Sequence, residues 1–404
     1  MSEFKNLPSG WKVVRLGEIC NVKQGLQIPI SERFCENAQN RYFYITNEFL
    51  KEKSEVKYYI ENPPESTICF CDDILMTRTG NTGMVVTNVF GVFHNNFFKI
   101  AYDRQLIKKE YFVFCLTGSK IQSEILKRAG SSTIPDLNHS DFLSIKIPLP
   151  PLDEQEKIAE ILSTWDEAIN LTINLIESKK QFKKALMQNL LTAKVRFPEF
   201  KDEWIEVTIG ELFEFKKGQG LSKEMLDTNG KFECVLYGEL YTTYDEIIEN
   251  VKSRTNFQGS IKSKFDDILI PSSTTTGSID IAIAAVILKN DVLLGGDINI
   301  LRKKRNNIYG KFVAYCITNI KNKELSSYAQ GTTIIHLYAK DFKDMKIKLP
   351  NLKEQQKIAE VLTACDDEIN LLNLKLENLK KQKQGLMQKL LKGEIRTCYV
   401  KKAM

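Results

Sequence analysis

Histidine is scarce in this 404-residue chain, with three in all, and its scarcity removes the commonest general base and metal ligand together. No Ser/His/Asp or Cys/His arrangement can be drawn from three dispersed histidines. The nine cysteines contain no C-x-x-C pair, so a zinc site is not expected and reduced core thiols are the default. No G-x-x-x-x-G-K-(S/T) loop occurs, and Gly218-Gln219-Gly220 lacks the third glycine of a dinucleotide turn. There is no run of about 18 apolar residues, and the opening residues have neither the apolar core nor the cleavage site of a signal peptide. These absences predict a cytoplasmic chain with no membrane partner.

Two short strings imitate catalytic motifs. Asn62-Pro63-Pro64-Glu65 has the outline of an amino-methyltransferase motif. Glu65 cannot stack on a flipped base, however, and no glycine-rich strand-to-helix turn lies nearby to hold S-adenosylmethionine. A turn with consecutive prolines accounts for it. Pro135-Asp136 could open a nuclease set, but no acidic-x-Lys follows until Glu177-Ser178-Lys179, so no carboxylate cluster for Mg²⁺ is expected. The sequence therefore offers no catalytic residue, no metal ligand set and no bound cofactor of its own.

What is present is ordinary in composition and unusual in order. Hydrophobic residues make up 43% and charged residues 27%, as in globular chains, and the length suggests two or three domains. The net charge of +6 permits nucleic-acid binding without requiring it. The distinctive feature is an internal repeat. Residues 152–196 and 352–396 align without a gap at an offset of 200, with 21 of 45 positions identical. In the second copy Ile358, Leu362, Cys365, Ile369, Leu372, Leu376 and Leu379 fall at alternating steps of four and three, the coiled-coil pattern. The first copy keeps Ile158, Leu162, Trp165, Ile169 and Ile176 but sets Thr172, Lys179 and Lys183 in the stripe. Each copy predicts a helix about 58 Å long.

The repeat extends upstream. Trp11, Gly17, Glu18 and Gly25 match Trp204, Gly210, Glu211 and Gly218, and DDILMTRTGNTGMVV from position 72 parallels DDILIPSSTTTGSID from position 266. Between these anchors the halves diverge, as mixed β with short helices. Strands are expected over 41–46, 67–76, 84–89 and 97–102, and helices over 108–117, 119–128 and 309–320. The expected organisation is a variable domain over 1–150, a helical spacer over 151–197, a second variable domain over 198–350, a second spacer over 351–396 and a tail over 397–404. The link between the first helix and the second domain, about 12 residues, reaches at most about 40 Å. That is too little for a comfortable return along a parallel helix, so an antiparallel pair is predicted. The fold class is α+β: two mixed-sheet domains separated by two long antiparallel coiled-coil helices in a pseudo-twofold tandem repeat.

The divergent domains carry matching polar loops beside glycines. Lys23, Gln24 and Gln27 correspond to Lys216, Lys217 and Gln219. The loop of Arg78, Thr79, Asn81 and Thr82 corresponds to the loop of Ser272, Ser273, Thr274, Thr275 and Thr276. Ser131, Ser132 and Thr133 correspond to Thr332 and Thr333. Such side chains on tight loops suit base edges and phosphates; a solvated hairpin accounts for any one of them taken alone. On the helices, Glu154, Gln155 and Glu160 recur as Glu354, Gln355 and Glu360, with Asn170 and Asn370. Read as lying outside the seam, they predict two equivalent docking sites for two copies of one subunit.

The run P-L-P-P-L-x-E-Q-x-x-I-A-E-x-L at 148–162, its degenerate copy from 348 and the D-D-I-L loops resemble the specificity subunit of type I restriction–modification enzymes. Lys348 and Asn351 stand where the first copy has Pro148 and Pro151. The resemblance covers essentially the whole chain. It implies two target-recognition domains, each reading one half of a bipartite site in double-stranded DNA. It also implies helical spacers that fix the gap and carry two modification subunits, which hold S-adenosylmethionine. Restriction subunits would add the ATP-driven motor and the Mg²⁺-dependent nuclease. The competing expectation is a coiled-coil assembly scaffold without sequence-specific DNA binding.

Overall fold

The two self-matched segments fold as single helices, Leu152–Leu190 and Leu352–Leu391, in a computed structural model that describes residues 7–51, 56–130 and 135–397. Asp153 and Glu154 in one and Glu354 in the other place negative charge in the first turn, where the helix dipole favours it. Both helices end in a left-handed turn, at Gly393 with φ +71° and at its counterpart Ala193 with φ +58°. The glycine takes that conformation without strain and the alanine does not.

The chain divides into two compact units, Met1–Ile173 with Leu374–Met404, and Asn174–Asn373. The division follows packing rather than chain order and cuts both long helices, so each unit holds the first half of one helix and the second half of the other. In the first unit Ile158 and Leu162 share a core with Leu386, Met387 and Leu390. In the second, Ile358 and Leu362 meet Leu186, Met187 and Leu190. Early residues of one helix pack on late residues of the other, so the pairing is antiparallel. The polar positions in the stripe have partners. Lys183 pairs with Asp366, and its repeat Lys383 with Asp166. Lys179 pairs with Glu368, while buried Thr172 donates to the Ala168 carbonyl at 2.7 Å.

The β part of the first unit has two four-stranded sheets. One runs Cys20–Gln24, Phe97–Tyr102, Ile74–Thr77 and Val85–Val86, all antiparallel. The other runs Tyr59–Glu61, Arg41–Ile45, Gly91–Phe93 and Ile68–Cys69, with one parallel pairing. The strand expected over 67–76 is two strands, because Asp73 N–H donates to the Phe70 carbonyl in a turn between them. Lys12–Arg15 pairs with Lys146–Leu149 and leads the chain from the β domain into the long helix. Phe98, Ile100, Phe112 and Phe142 fill the space between sheet, short helices and the long-helix ends.

The second unit repeats this plan. A five-stranded sheet runs Phe213–Lys217, Ile298–Lys303, Asp267–Pro271, Ala285–Ile287 and Ile247–Ile248. A three-stranded sheet runs Ser253–Thr255, Phe232–Val235 and Leu293–Leu294, and the ribbon Ile205–Thr208 with Lys346–Leu349 leads into the second long helix. Among the described residues no helix is long and apolar enough to cross a membrane.

Candidate nucleic-acid interface

In each unit the described polar residues of the matched loops gather at one end of a sheet, the one holding Cys20–Gln24 and Ile74–Thr77 in the first unit and the five-stranded one in the second, and glycine makes that end possible. In the first unit the strand ending at Gln24 passes so close to the Phe93–His94 backbone that a Cβ on Gly25 would lie 2.3 Å from the His94 carbonyl oxygen. In the second, a Cβ on Gly218 would lie 1.8 Å from the Gly295 carbonyl oxygen. Neither backbone oxygen can yield cheaply. Gly218→Ala is expected to cost about 1–3 kcal/mol as overpacking and to disturb Lys217 and Gln219 beside it. An unchanged midpoint in urea denaturation would show that the crossing is looser than this.

Around this crossing the backbone frame is the same in both units. Arg78 N–H donates to Asn96 O at 2.7 Å, and its carbonyl accepts from Leu137 N–H at 3.0 Å. At the corresponding place Ser272 N–H donates to Asp297 O at 2.7 Å, and its carbonyl accepts from Leu337 N–H at 3.0 Å. The side chains mounted on the frame differ. In the first unit Arg78 grips Asp136 through Nε at 3.0 Å and Nη2 at 2.8 Å. Thr79 Oγ1 donates to the same carboxylate at 2.6 Å. The Arg78 guanidinium, then the Thr79 hydroxyl, hold Asp136 below the usual carboxylate range. Gln24 Nε2 donates to Asn95 O at 3.1 Å, and Asn95 Nδ2 donates to Gln27 Oε1 at 2.7 Å. In the second unit Gln219 Oε1 accepts from Ser260 Oγ at 2.6 Å. Lys217 lies 3.7 Å from Asp297, and Lys216 3.7 Å from Glu214 on its own strand. His336 stacks on Tyr338 with ring centroids 5.7 Å apart.

The structure sorts the sequence candidates. Lys23, Gln24, Gln27, Asn81, Lys216, Lys217, Gln219, Thr275, Thr276, Thr332 and Thr333 are exposed, and Arg78 and Thr79 are half-buried. Thr82, Ser273 and Thr274 are buried and cannot meet a base edge as placed. Thr82 Oγ1 donates to the Arg78 and Pro135 carbonyls, while Ser273 and Thr274 form a short strand against Ile335–His336. Ser131, Ser132 and Thr133 lie outside the described residues. Asp136, Asn95, His336 and Tyr338 join the site although the sequence reading did not select them. The charge complementarity of Arg78 and Asp136 was visible, but they stand 58 positions apart, and nothing local links them.

The helix residues need a larger correction. Glu160, Asn170, Glu360 and Asn370 are exposed, as expected of outward positions. Glu154, Gln155, Glu354 and Gln355 are fully buried. Glu154 accepts from Trp11 Nε1 at 2.9 Å and from Arg396 at 2.7 and 3.0 Å. Glu354 accepts from Trp204 Nε1 at 3.2 Å and from Arg196 at 2.8 and 2.7 Å. Gln155 accepts from Lys108 N–H and donates to the Leu106 and Pro150 carbonyls. Gln355 does the same with Tyr309, Asn307 and Pro350. Packing of the β domain on its helix therefore explains why these four side chains recur. The sequence reading missed Trp11, Trp204, Arg196 and Arg396 as their partners, although all four sit at matched positions of the repeat.

Comparison with known proteins agrees with this doubled construction. A family model described as the type I restriction modification DNA specificity domain matches residues 8–178 and again 201–381. The MjaVIII type I restriction enzyme specificity subunit of Methanocaldococcus jannaschii is 26% identical over 407 residues, covering 96% of this chain and 94% of the relative. The StySPI specificity subunit of Salmonella potsdam is 24% identical, covering 96% and 90%. Among solved structures, the S subunit of a type I restriction-modification system from M. genitalium superposes with a TM-score of 0.59 at 19% identity, covering 97% of this chain and 98% of that one.

Proposed function

The chain belongs to the type I restriction modification DNA specificity family, and on that premise we propose that it is the DNA-reading, non-catalytic subunit of such an enzyme. Each unit takes one half of a bipartite site in double-stranded DNA. The long helices carry two modification subunits and set the gap between the half-sites. S-adenosylmethionine, ATP and Mg²⁺ belong to the partner modification and restriction subunits, and the complex works in the cytoplasm.

The observation that carries this reading is the shared frame with unshared side chains. Arg78 and Ser272 occupy the same backbone bonds, yet one presents a guanidinium and the other a buried hydroxyl. Two readers of two different half-sites require this: one scaffold used twice, with the base-facing groups free to vary. Coexpression with a methyltransferase subunit, followed by sequencing of methylated DNA, should give a two-part motif with an unread gap. An unsplit motif, or methylation without sequence preference, would remove the reading.

Partner docking is assigned to the exposed recurring residues only. Charge reversal at Glu160 and Glu360 should lower the number of modification subunits bound, as read by native mass spectrometry. Both side chains are more than half exposed, so the isolated chain should stay folded. Full assembly of that variant would place docking elsewhere.

A further inference from the structure

Of the described candidate cations Lys23 and Arg78 at the first unit's polar edge, Arg78 has its place fixed at both backbone and side chain. Its N–H and carbonyl are bonded to Asn96 and Leu137, and its guanidinium lies side-on against Asp136. Asp136 is itself held by Thr79 Oγ1. A guanidinium carries five N–H donors in one plane. The side-on pair uses Nε–H and one Nη2–H, which leaves both Nη1 hydrogens and the second on Nη2. The remaining partner is Gln24 Oε1, 3.4 Å from Nη1, a long contact to an exposed side chain that can move aside. One hydrogen from each Nη then forms the end-on fork, the geometry that matches guanine O6 and N7.

Resting on the DNA-reading role above, we propose that Arg78 reads a guanine in the half-site taken by the first unit and that Asp136 is the positioning residue that aims it. Two features separate this from a phosphate contact. Phosphate binding draws on uncompensated positive charge, whereas the Arg78 charge is offset by a carboxylate that would repel a phosphate at close range. A base edge is neutral and tolerates that neighbour. Asp136 is also held below the usual carboxylate range, chiefly by Arg78, so it stays ionised at neutral pH. A purely structural role fits poorly as well. The Asp136 side chain is 47% exposed, and ion pairs of that exposure contribute little to stability.

The assignment is one-sided. In the second unit the same frame carries Ser272, which is buried, and His336 faces the strand pairing where Asp136 stands in the first. No guanidinium occupies the equivalent place, so this guanine contact belongs to the first unit's half-site.

The test uses the full chain assembled with its methyltransferase subunit, with methylated motifs sequenced and DNA affinity measured by competition over a range of salt. Arg78→Ala should relax one guanine in one half-site, losing roughly 10- to 100-fold of preference at that position while all others hold. Arg78→Gln keeps much of the length and should shift the same position toward adenine, since an amide pairs with adenine N6 and N7; this variant also stands in if the alanine variant misfolds. Asp136→Asn should blunt the guanine preference while raising non-specific affinity and steepening its salt dependence, a change that a structural contact would not produce. Uniform weakening across all sequences by Arg78→Ala, with a salt slope lower by about one, would mark a phosphate contact and overturn the proposal. An unchanged motif in both Arg78 variants would overturn it too. A wild-type complex without a bipartite motif would instead remove the DNA-reading role, and this assignment with it.

Discussion

Replacing residues 1–150 with the corresponding segment of another family member is expected to change one half of the methylated motif completely and leave the other half untouched. The expectation rests on how the first β domain is seated on its helices. Gln155 holds the domain through backbone atoms, the Lys108 N–H at 2.8 Å and the Leu106 carbonyl at 3.0 Å. Bonds to backbone survive sequence divergence, so a foreign domain can take the same seat if it supplies a tryptophan for Glu154. Each mismatched base pair costs about 1–3 kcal/mol of specific affinity, so a half-site of several pairs is lost rather than weakened. The measurement is the methylated motif of the chimaera beside those of both parents. A motif altered in both halves would refute independent readers. A folded chimaera retaining the parental motif would show that residues 1–150 do not read.

The same comparison shows which parts of the molecule were legible. The long helices were, because a four-three apolar stripe and a dense self-match are both properties of the chain read locally. The antiparallel pairing followed from the reach of a short link. Burial of Glu154 and Gln155 was misjudged for a definable reason. The stripe continues back from Ile158 by three residues to Gln155, so the glutamine sits on the seam. At that end of the helix, though, the seam faces the β domain as well as the other helix, and polar residues there read as outward-facing by sequence are buried. A heptad count registers one neighbour, and here there are two. The hydroxyls of Ser273 and Thr274 failed likewise: a loop by composition is a strand by pairing, because Ile335–His336 arrives from more than 60 residues away. By sequence Asp136 belongs only to a chance likeness of a nuclease motif, and the fold alone brings it to Arg78.

The largest single-residue loss of stability is expected from Glu354→Gln. Glu354 is fully buried and accepts a two-pronged bond from Arg196 and a third from Trp204. It thereby ties the link after the first helix and the start of the second β domain to one point on the second helix. Removing one member of a buried pair costs about 3–5 kcal/mol, because the remaining charge is left without its partner. The Arg196 side chain is 23% exposed, so water recovers part of this, and about 2–4 kcal/mol remains. For a domain of this size that lowers Tm by roughly 5–15 °C. Glu154→Gln should lose less, since its partner Arg396 is 38% exposed and hydrates more readily. Glu154 adds a test by pH. Burial pushes its carboxyl up, but the Arg396 guanidinium and the Trp11 indole N–H outweigh burial and hold it below the usual range. The unfolded chain therefore binds more protons than the folded one through that window. The contribution is fully present above the ordinary glutamate pKa, about 4.3, and is lost as pH falls through the lower folded value. Urea denaturation of the full chain should show wild type losing stability in that acid range and Glu154→Gln losing less. Equal acid sensitivity in the two would mean that Glu154 is not stabilised as its contacts require. Arg196→Lys in the otherwise native chain should also lose stability, because a lysine cannot reproduce the two-pronged bond to Glu354. Glu354→Leu combined with Arg196→Met should recover much of the loss, since replacing both charges by apolar groups leaves no buried charge unpaired and only the half-buried Trp204 indole N–H without its acceptor.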